Sequence, residues 1–255
     1  MKNSLDLMNI DDTEKGWIRF KRKSDSKSIK SDPRTSAEAD LRAKIEKLMR
    51  VQMNDAADAI RENRQPNAEE YARLLRNEME IELEMIMRDA LEAQAEEFGV
   101  EFDPTAYDKA AYEWAKEYTY AWVQGIDKGT REVIAKATTQ YIAGEGMTRA
   151  DLLALLVPAF GDVRADSIAT TEITRAYAQA QVVYQDLMKE DGVTMRRQWH
   201  TTKQDVCPIC MSLDMVIEDE NGKFVSDFNG QAYDMPPDPH PRCKCGTGLT
   251  MKRGK

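Results

Sequence analysis

The sequence predicts a mainly α-helical protein with a small α+β module at its C-terminal end. Three observations favour this fold class. Apolar residues recur at steps of three and four through most of the chain, strand and turn signals appear only after residue 190, and all four cysteines lie in the last quarter. With 255 residues, of which 42% are hydrophobic, the chain is long enough to bury a core in one or two domains.

The composition counts against several classes of protein. No apolar run approaches the roughly 18 residues that cross a bilayer, so no membrane association is expected. A net charge of −9 argues against a protein that coats nucleic acid with its whole surface. The cysteines do not resemble a secreted disulfide framework, and Met1 to Ile10 lacks the apolar core of a signal peptide. We therefore expect reduced thiols that are free to bind metal.

Residues 1–35 are predicted to form a basic, flexible tail. The segment is too polar to bury enough apolar surface to offset the entropy lost on ordering. Its basic residues are candidates for contact with DNA, and a merely solvated terminus is the alternative interpretation. The candidate DNA-contacting residues are Arg19, Lys21, Arg22 and Lys23.

Residues 36–143 are predicted to be a region of long amphipathic helices. A first helix breaks near Pro66, a second ends near Gly99, and a third starts at Pro104 with aromatic residues on one side. The second carries an apolar stripe, made of Leu75, Met79, Leu83, Ile86, Ala90 and Ala93. The aromatic residues of the third are Trp114, Tyr118 and Trp122. Such stripes more often face a core than a partner, and the long helices favour a bundle or docking module over a compact α/β enzyme.

Residues 144–255 are predicted to form the C-terminal module. Thr148 and Asp151 have the spacing of a capping box and precede a short helix, which a longer helix over residues 163–190 follows. Beyond it, strands are predicted over residues 195–202, 215–217 and 223–225. The Asn221-Gly222 dipeptide predicts a hairpin between the last two.

A cluster of soft ligands surrounds this predicted hairpin. Cys207 and Cys210 form a Cys-x-x-Cys motif before it, and His240, Cys243 and Cys245 follow it. A tetrahedral zinc site needs four nitrogen or sulfur ligands, so four of these five residues would suffice. Two ligand sets remain open, one of four cysteines and one of three cysteines with the histidine. Structural Zn²⁺ would stabilise a small domain between about residues 195 and 250. The alternatives are reduced cysteines without metal, or a disulfide that forms after the protein leaves the cell.

The sequence does not predict an enzyme. A catalytic zinc site usually keeps an open coordination position and a group that handles protons. Neither His200 nor His240 is followed two residues later by the glutamate that zinc deaminases require. The chain also contains no phosphate-binding glycine loop and no Gly-x-Ser-x-Gly elbow.

Several of these motifs resemble the C-terminal module of phage head morphogenesis proteins, the Mu F-like minor head protein family. The resemblance covers roughly residues 145–250. It is carried by Arg164 to Glu172, Arg175 to Tyr177, Trp199, Asp205 to Cys210, Leu213-Asp214 and His240-Pro241-Arg242-Cys243-Lys244-Cys245. The family's motif helix corresponds to Thr171, Glu172 and Arg175. Thr170, Met215 and Lys244 depart from the pattern, which commonly has Arg, Gly and Arg there.

The resemblance implies a minor capsid protein of a tailed double-stranded DNA phage or prophage. Such a protein would lie in the virion, at the portal vertex or in the capsid interior, after assembly in the host cytoplasm. It would bind the portal protein, with scaffold, major capsid protein and packaged DNA as further candidate partners. It would assist procapsid assembly, DNA packaging or ejection.

Two other functions remain as hypotheses. One is a zinc-ribbon-type nucleic-acid-binding module, against which the many acidic residues between 195 and 255 count. The other is a cryptic zinc-dependent enzyme.

Overall fold

The computed structural model describes residues 17–19, 33–100, 104–144, 146–203 and 205–252. It confirms a mainly helical chain with a small strand-containing module at the C-terminal end. The elements are β1 (Trp17–Arg19), α1 (Pro33–Arg61), α2 (Ala68–Phe98), α3 (Pro104–Ala143), α4 (Arg149–Phe160), α5 (Asp162–Glu190), β2 (Met195–His200), α6 (Pro208–Leu213), β3 (Phe224–Val225), β4 (Ala232–Tyr233) and β5 (Gly246–Lys252). Among the described helices, none has an apolar stretch long enough to cross a bilayer.

The ends of the long helices follow local signals. Helix α1 starts at Pro33. Proline suits the first turn of a helix, because the backbone N–H that it lacks would have no partner within the helix there. Helix α2 ends at Phe98, and Gly99 then adopts a φ of 65°, a left-handed conformation that glycine accepts without steric cost. The N–H of Val100 donates to the carbonyl of Ala95 at 2.9 Å and closes the last turn.

The predicted apolar stripe of α2 is buried at five of its six positions. Ala93 is the exception, since it is exposed while the neighbouring Leu91 and Ala95 are buried. Near the C-terminal end of α2 the buried face is therefore formed by Leu91 and Ala95 instead of Ala93. In α3 the predicted aromatic side is only half buried, and Trp114 stacks on Tyr118 with ring centroids 5.1 Å apart.

The chain divides into two compact units. One contains the described parts of Met1–Arg34 together with Met85–Ala111 and Thr170–Lys255, and the other contains Thr35–Glu84 and Tyr112–Ala169. In the second unit the predicted capping box is present at the start of α4. The Thr148 hydroxyl accepts from the Asp151 N–H at 3.2 Å, and the Asp151 carboxylate accepts from the Thr148 N–H at 2.9 Å.

Two small antiparallel sheets lie in the first unit. One has the strand order β1-β5-β2, and the other consists of β3 paired with β4. The predicted strand over residues 215–217 is wrong, because only Ile217 forms an isolated bridge, with Gln198 of β2. The predicted hairpin partner is wrong as well, since β3 pairs with β4 and not with residues 215–217.

A local loop at Asp219 explains the missing hairpin. The Asp219 carboxylate accepts from the N–H groups of Asn221 at 2.8 Å and Lys223 at 2.9 Å. Such a side chain-to-backbone loop competes with strand pairing for the same donors. The Asn221-Gly222 turn therefore belongs to this compact loop and does not join two paired strands.

A buried ion pair lies beside this loop. Arg197 on β2 and Glu218 have side chains that are only 6% and 2% exposed, and an Arg197 guanidinium nitrogen lies 2.6 Å from Glu218 Oε2. The other oxygen, Oε1, accepts from the Arg197 backbone N–H and from Gln185 of α5. Arg197 also donates to the carbonyls of Asp234 at 3.1 Å and Gly222 at 2.9 Å. The pair thus joins β2, α5 and the loops that flank the β3–β4 hairpin.

We predict that Glu218→Gln lowers the free energy of unfolding by about 3 kcal/mol or more, because Arg197 remains as a buried charge without its counter-ion. Urea denaturation followed by circular dichroism measures the loss. Glu220→Gln is the matched control, since Glu220 is 91% exposed and lies 3.9 Å from Arg196. That exposed pair contributes less than about 1 kcal/mol. Equal effects of the two substitutions would contradict a structural role for the buried pair.

Candidate metal centre

The first pair of candidate donors lies at the start of α6. Cys207 is the N-cap of this short helix, and Pro208 occupies its first turn. The Cys207 sulfur accepts from the Cys210 N–H at 3.3 Å. The helix turn therefore brings both thiols of the Cys-x-x-Cys motif to the same end of α6.

The second group of donors comes from the segment that leads into β5. His240 Nδ1 lies 2.9 Å from the Pro241 carbonyl oxygen. Since a carbonyl oxygen can only accept, Nδ1 carries the proton in this contact, and the lone pair of Nε2 is left to bind a metal. Cys243 and Cys245 follow, and β5 begins at the next residue, Gly246.

The structure brings all five predicted donors around Cys210. Donor atoms of Cys207, Cys210 and His240 lie within 4.8 Å of one another, and so do those of Cys210, Cys243 and Cys245. These groups could hold a metal ion. The Cys210 sulfur is 3.4 Å from His240 Nε2 and 3.7 Å from the Cys243 sulfur. A tetrahedral zinc ion separates sulfur from nitrogen ligands by about 3.5 Å and two sulfur ligands by about 3.8 Å. The two distances measured from the Cys210 sulfur therefore match those between ligands of a tetrahedral zinc ion.

Hydrogen bonds among the three inner thiols, together with burial, shift the pKa of each one. The hydrogen bonds from Cys210 and Cys243 lower the pKa of Cys245 to about 3. Hydrogen bonds to Cys243 and Cys245, together with burial, raise the pKa of Cys210. For Cys243 the hydrogen bond with Cys210 lowers the pKa, but the contact with Cys245 and burial outweigh it and raise the value to about 12. Ionisation of a second thiol in this buried cluster requires a cation to offset the added negative charge.

Apolar and aromatic side chains enclose the inner thiols. Cys210, Cys243 and Cys245 share a buried cluster with Trp199, Leu213 and Phe224. The Trp199 and Phe224 rings meet edge to face, with centroids 5.3 Å apart and planes at 74°. Cys207 and His240 are half buried and form the more accessible side of the group.

The predicted motif helix, α5, contacts the second donor segment directly. Thr171 accepts from the Arg242 N–H at 2.9 Å, and Arg175 pairs with Asp238 at 3.0 Å. Glu172 is buried at 4% exposure. Sequence reasoning did not identify Thr174, whose hydroxyl donates to the Cys243 carbonyl at 2.8 Å. Its position three residues after Thr171 was the available signal, because that spacing places both on one helix face.

The candidate DNA-contacting residues are only partly described. Arg19 lies in β1 and pairs with Thr250 of β5 in the strand register. Lys21, Arg22 and Lys23 lie outside the described residues. The metal donors and Arg19 thus belong to the same compact unit.

Comparison of the chain with protein-family models, with curated proteins and with solved structures finds no match.

Met215 lies shortly after helix α6 and has an unusual backbone conformation. Its φ of 65° lies in the left-handed region, which glycine adopts freely and other residues avoid. This conformation lets the Met215 N–H donate to the Trp199 carbonyl at 2.8 Å, so the chain turns back onto β2. The backbone at this position therefore suits glycine better than methionine.

We predict that Met215→Gly is more stable than Met215→Ala by about 1 kcal/mol, because both variants lose the side chain and only glycine relieves the backbone strain. Urea denaturation of the two variants measures the difference. Met211 supplies the control, since it is 65% exposed within α6. At that helical position alanine should be the more stable by about 1 kcal/mol. The same order at both positions would contradict the strain at Met215.

Proposed function

We propose that this chain is a minor structural protein of a tailed double-stranded DNA phage or prophage head, with a zinc ion that clamps its C-terminal module. The observation that carries the proposal is the meeting of two motifs that are distant in sequence. Thr171 and Thr174 of the motif helix contact Arg242 and Cys243 of the His-Pro-x-Cys-x-Cys segment, across 71 and 69 residues. Two of the segments on which the resemblance depends, one in α5 and one before β5, therefore contact each other.

An architectural metal is supported by the enclosure of the donors. Cys210, Cys243 and Cys245 are no more than 4% exposed. Structural zinc sites are closed four-ligand sites of cysteine and histidine, whereas catalytic sites keep a position for water or substrate. Thiolates with imidazole favour zinc over magnesium or calcium, which prefer oxygen ligands. When bound, zinc would hold the α6 turn and the segment before β5 together.

Assembly with partner proteins is supported by the long helices. Several carry large apolar side chains that are exposed in the chain alone, namely Ile81, Met85, Ile142 and Val163. The proposed partners are the portal protein and, within the procapsid, scaffold or major capsid protein. We propose that the protein assembles in the host cytoplasm and lies at the portal vertex or the capsid interior of the virion, where Arg19 and its basic neighbours would meet DNA.

The zinc-ribbon alternative has less support. A nucleic-acid-binding ribbon needs accessible basic side chains on its strands. The two arginines of β2 are both engaged by acidic residues, Arg197 by Glu218 and Arg196 by Glu220. We therefore place DNA contact, within the head, at the N-terminal basic residues.

Purified protein is expected to contain about one zinc ion per chain, and chelation should lower its unfolding temperature, because metal binding and folding are coupled. Cys210→Ser should lose the metal, since Cys210 belongs to both donor groups. Mass spectrometry of the metal content measures both outcomes. Met211→Ser, at the neighbouring exposed position, is the control that keeps the ion. Zinc retained at full occupancy in Cys210→Ser would contradict the site.

The head function has a separate test. Particles from the phage or induced prophage that encodes the chain should contain its peptides after density-gradient purification, in far fewer copies than the major capsid protein. Quantitative mass spectrometry of the particles measures this ratio. Co-expression with the portal protein should yield a complex that survives size-exclusion chromatography. Purified infectious particles without the chain would overturn the proposal.

A further inference from the structure

The Trp199 indole has a buried N–H group that needs a hydrogen-bond acceptor. The residue is fully buried and lies in the same cluster as Cys210, Cys243 and Cys245. Among the described residues, no group accepts from Nε1 with normal hydrogen-bond geometry. Buried tryptophan N–H groups usually have a partner, because an unpaired buried donor costs free energy.

Sulfur is the acceptor that the cluster offers. The register of the sheet pairs Trp199 with Thr247, so Cys245 lies just before the residues of β5 that face Trp199 and His200. Phe224 packs edge to face against the indole ring, with centroids 5.3 Å apart. A metal-bound thiolate would accept from this N–H more strongly than a neutral thiol.

Each of the other candidate metal donors named below has a hydrogen bond that orients its side chain or backbone. Cys207 accepts from the Cys210 N–H, and His240 Nδ1 is held by the Pro241 carbonyl. The backbone of Cys243 is held through its carbonyl by Thr174. Contacts of this kind fix ligand orientation and tune metal affinity. Trp199 is the residue placed to do this for Cys245.

We propose that Trp199 is a positioning residue whose Nε1–H donates to the Cys245 sulfur as a metal-bound thiolate, which places Cys245 among the four ligands. The inference deepens the proposed zinc site and depends on it. It leaves out every ligand set that lacks Cys245. Tryptophan is suited to the position because it combines a large apolar surface with a single N–H donor.

The test compares two substitutions in the full-length protein loaded with Co²⁺, which reports thiolate ligation through its absorption bands. Trp199→Phe removes the N–H and keeps an aromatic ring. Phe224→Leu perturbs packing in the same cluster and keeps the N–H. Metal affinity is measured by competition with a chelator, and the sulfur-to-cobalt charge-transfer band is recorded for each variant.

Trp199→Phe should weaken metal affinity by about 10- to 100-fold. Its charge-transfer band should move to lower energy, because the thiolate loses a donor. Phe224→Leu should lower the unfolding temperature and leave the band unmoved. A wild-type protein that binds no metal would overturn the zinc site itself. Wild-type binding with unchanged affinity and band position in Trp199→Phe would overturn only the role of Trp199.

A second measurement uses the wild-type chain, so its result does not depend on whether a variant folds. The wild-type chain is loaded with ¹¹³Cd, and its four tryptophan indole resonances are followed by NMR. One indole proton should move downfield and show coupling to cadmium through the N–H···S contact. The absence of both signals in a cadmium-loaded sample would overturn the inference.

Discussion

The C-terminal module depends on an electrostatic constraint, the crowding of ionisable sulfur around Cys210. Three thiols are almost fully buried there, and hydrogen bonds among them lower the pKa of Cys245 to about 3. A second buried negative charge would be unfavourable without a nearby cation. The same rule operates at Arg197 and Glu218, where each buried charge has its counter-ion and further hydrogen bonds. Buried charge in this module is therefore matched by specific partners.

Helix α5 contacts both the thiol cluster's donor segment and the Arg197–Glu218 ion pair. Thr171 and Thr174 contact the donor segment, Gln181 donates to the Thr247 carbonyl of β5, and Gln185 donates to Glu218. These positions recur at helical spacing, so one face of α5 reaches the metal donors, the sheet and the ion pair in turn. These side-chain contacts therefore fix the position of α5 against the donor segment, the sheet and the ion pair.

The helices could be predicted from the sequence because their signals are local. Pro33, Gly99 and the Thr148–Asp151 box each act within one turn of the chain. The five candidate donor residues, which the structure brings together, could be predicted from residue type and order. The pairing of β3 could not, since Asn221-Gly222 is compatible with a hairpin and only the competing contacts of Asp219 exclude it. The contact between Trp199 and the thiol cluster depends on the β2–β5 register, which no local pattern specifies.

The β1–β5 pairing has a consequence for synthesis. Ile18 pairs with Met251, so the sheet joins segments that are 233 residues apart along the chain. Helices α1 to α5 contain mostly local contacts and can form on the growing chain before β5 is synthesised, whereas this sheet and the thiol cluster cannot. Cys243 and Cys245 come just before β5, so these candidate donors and the closing strand become available together. A nascent chain therefore carries formed helices before the candidate metal centre can be assembled.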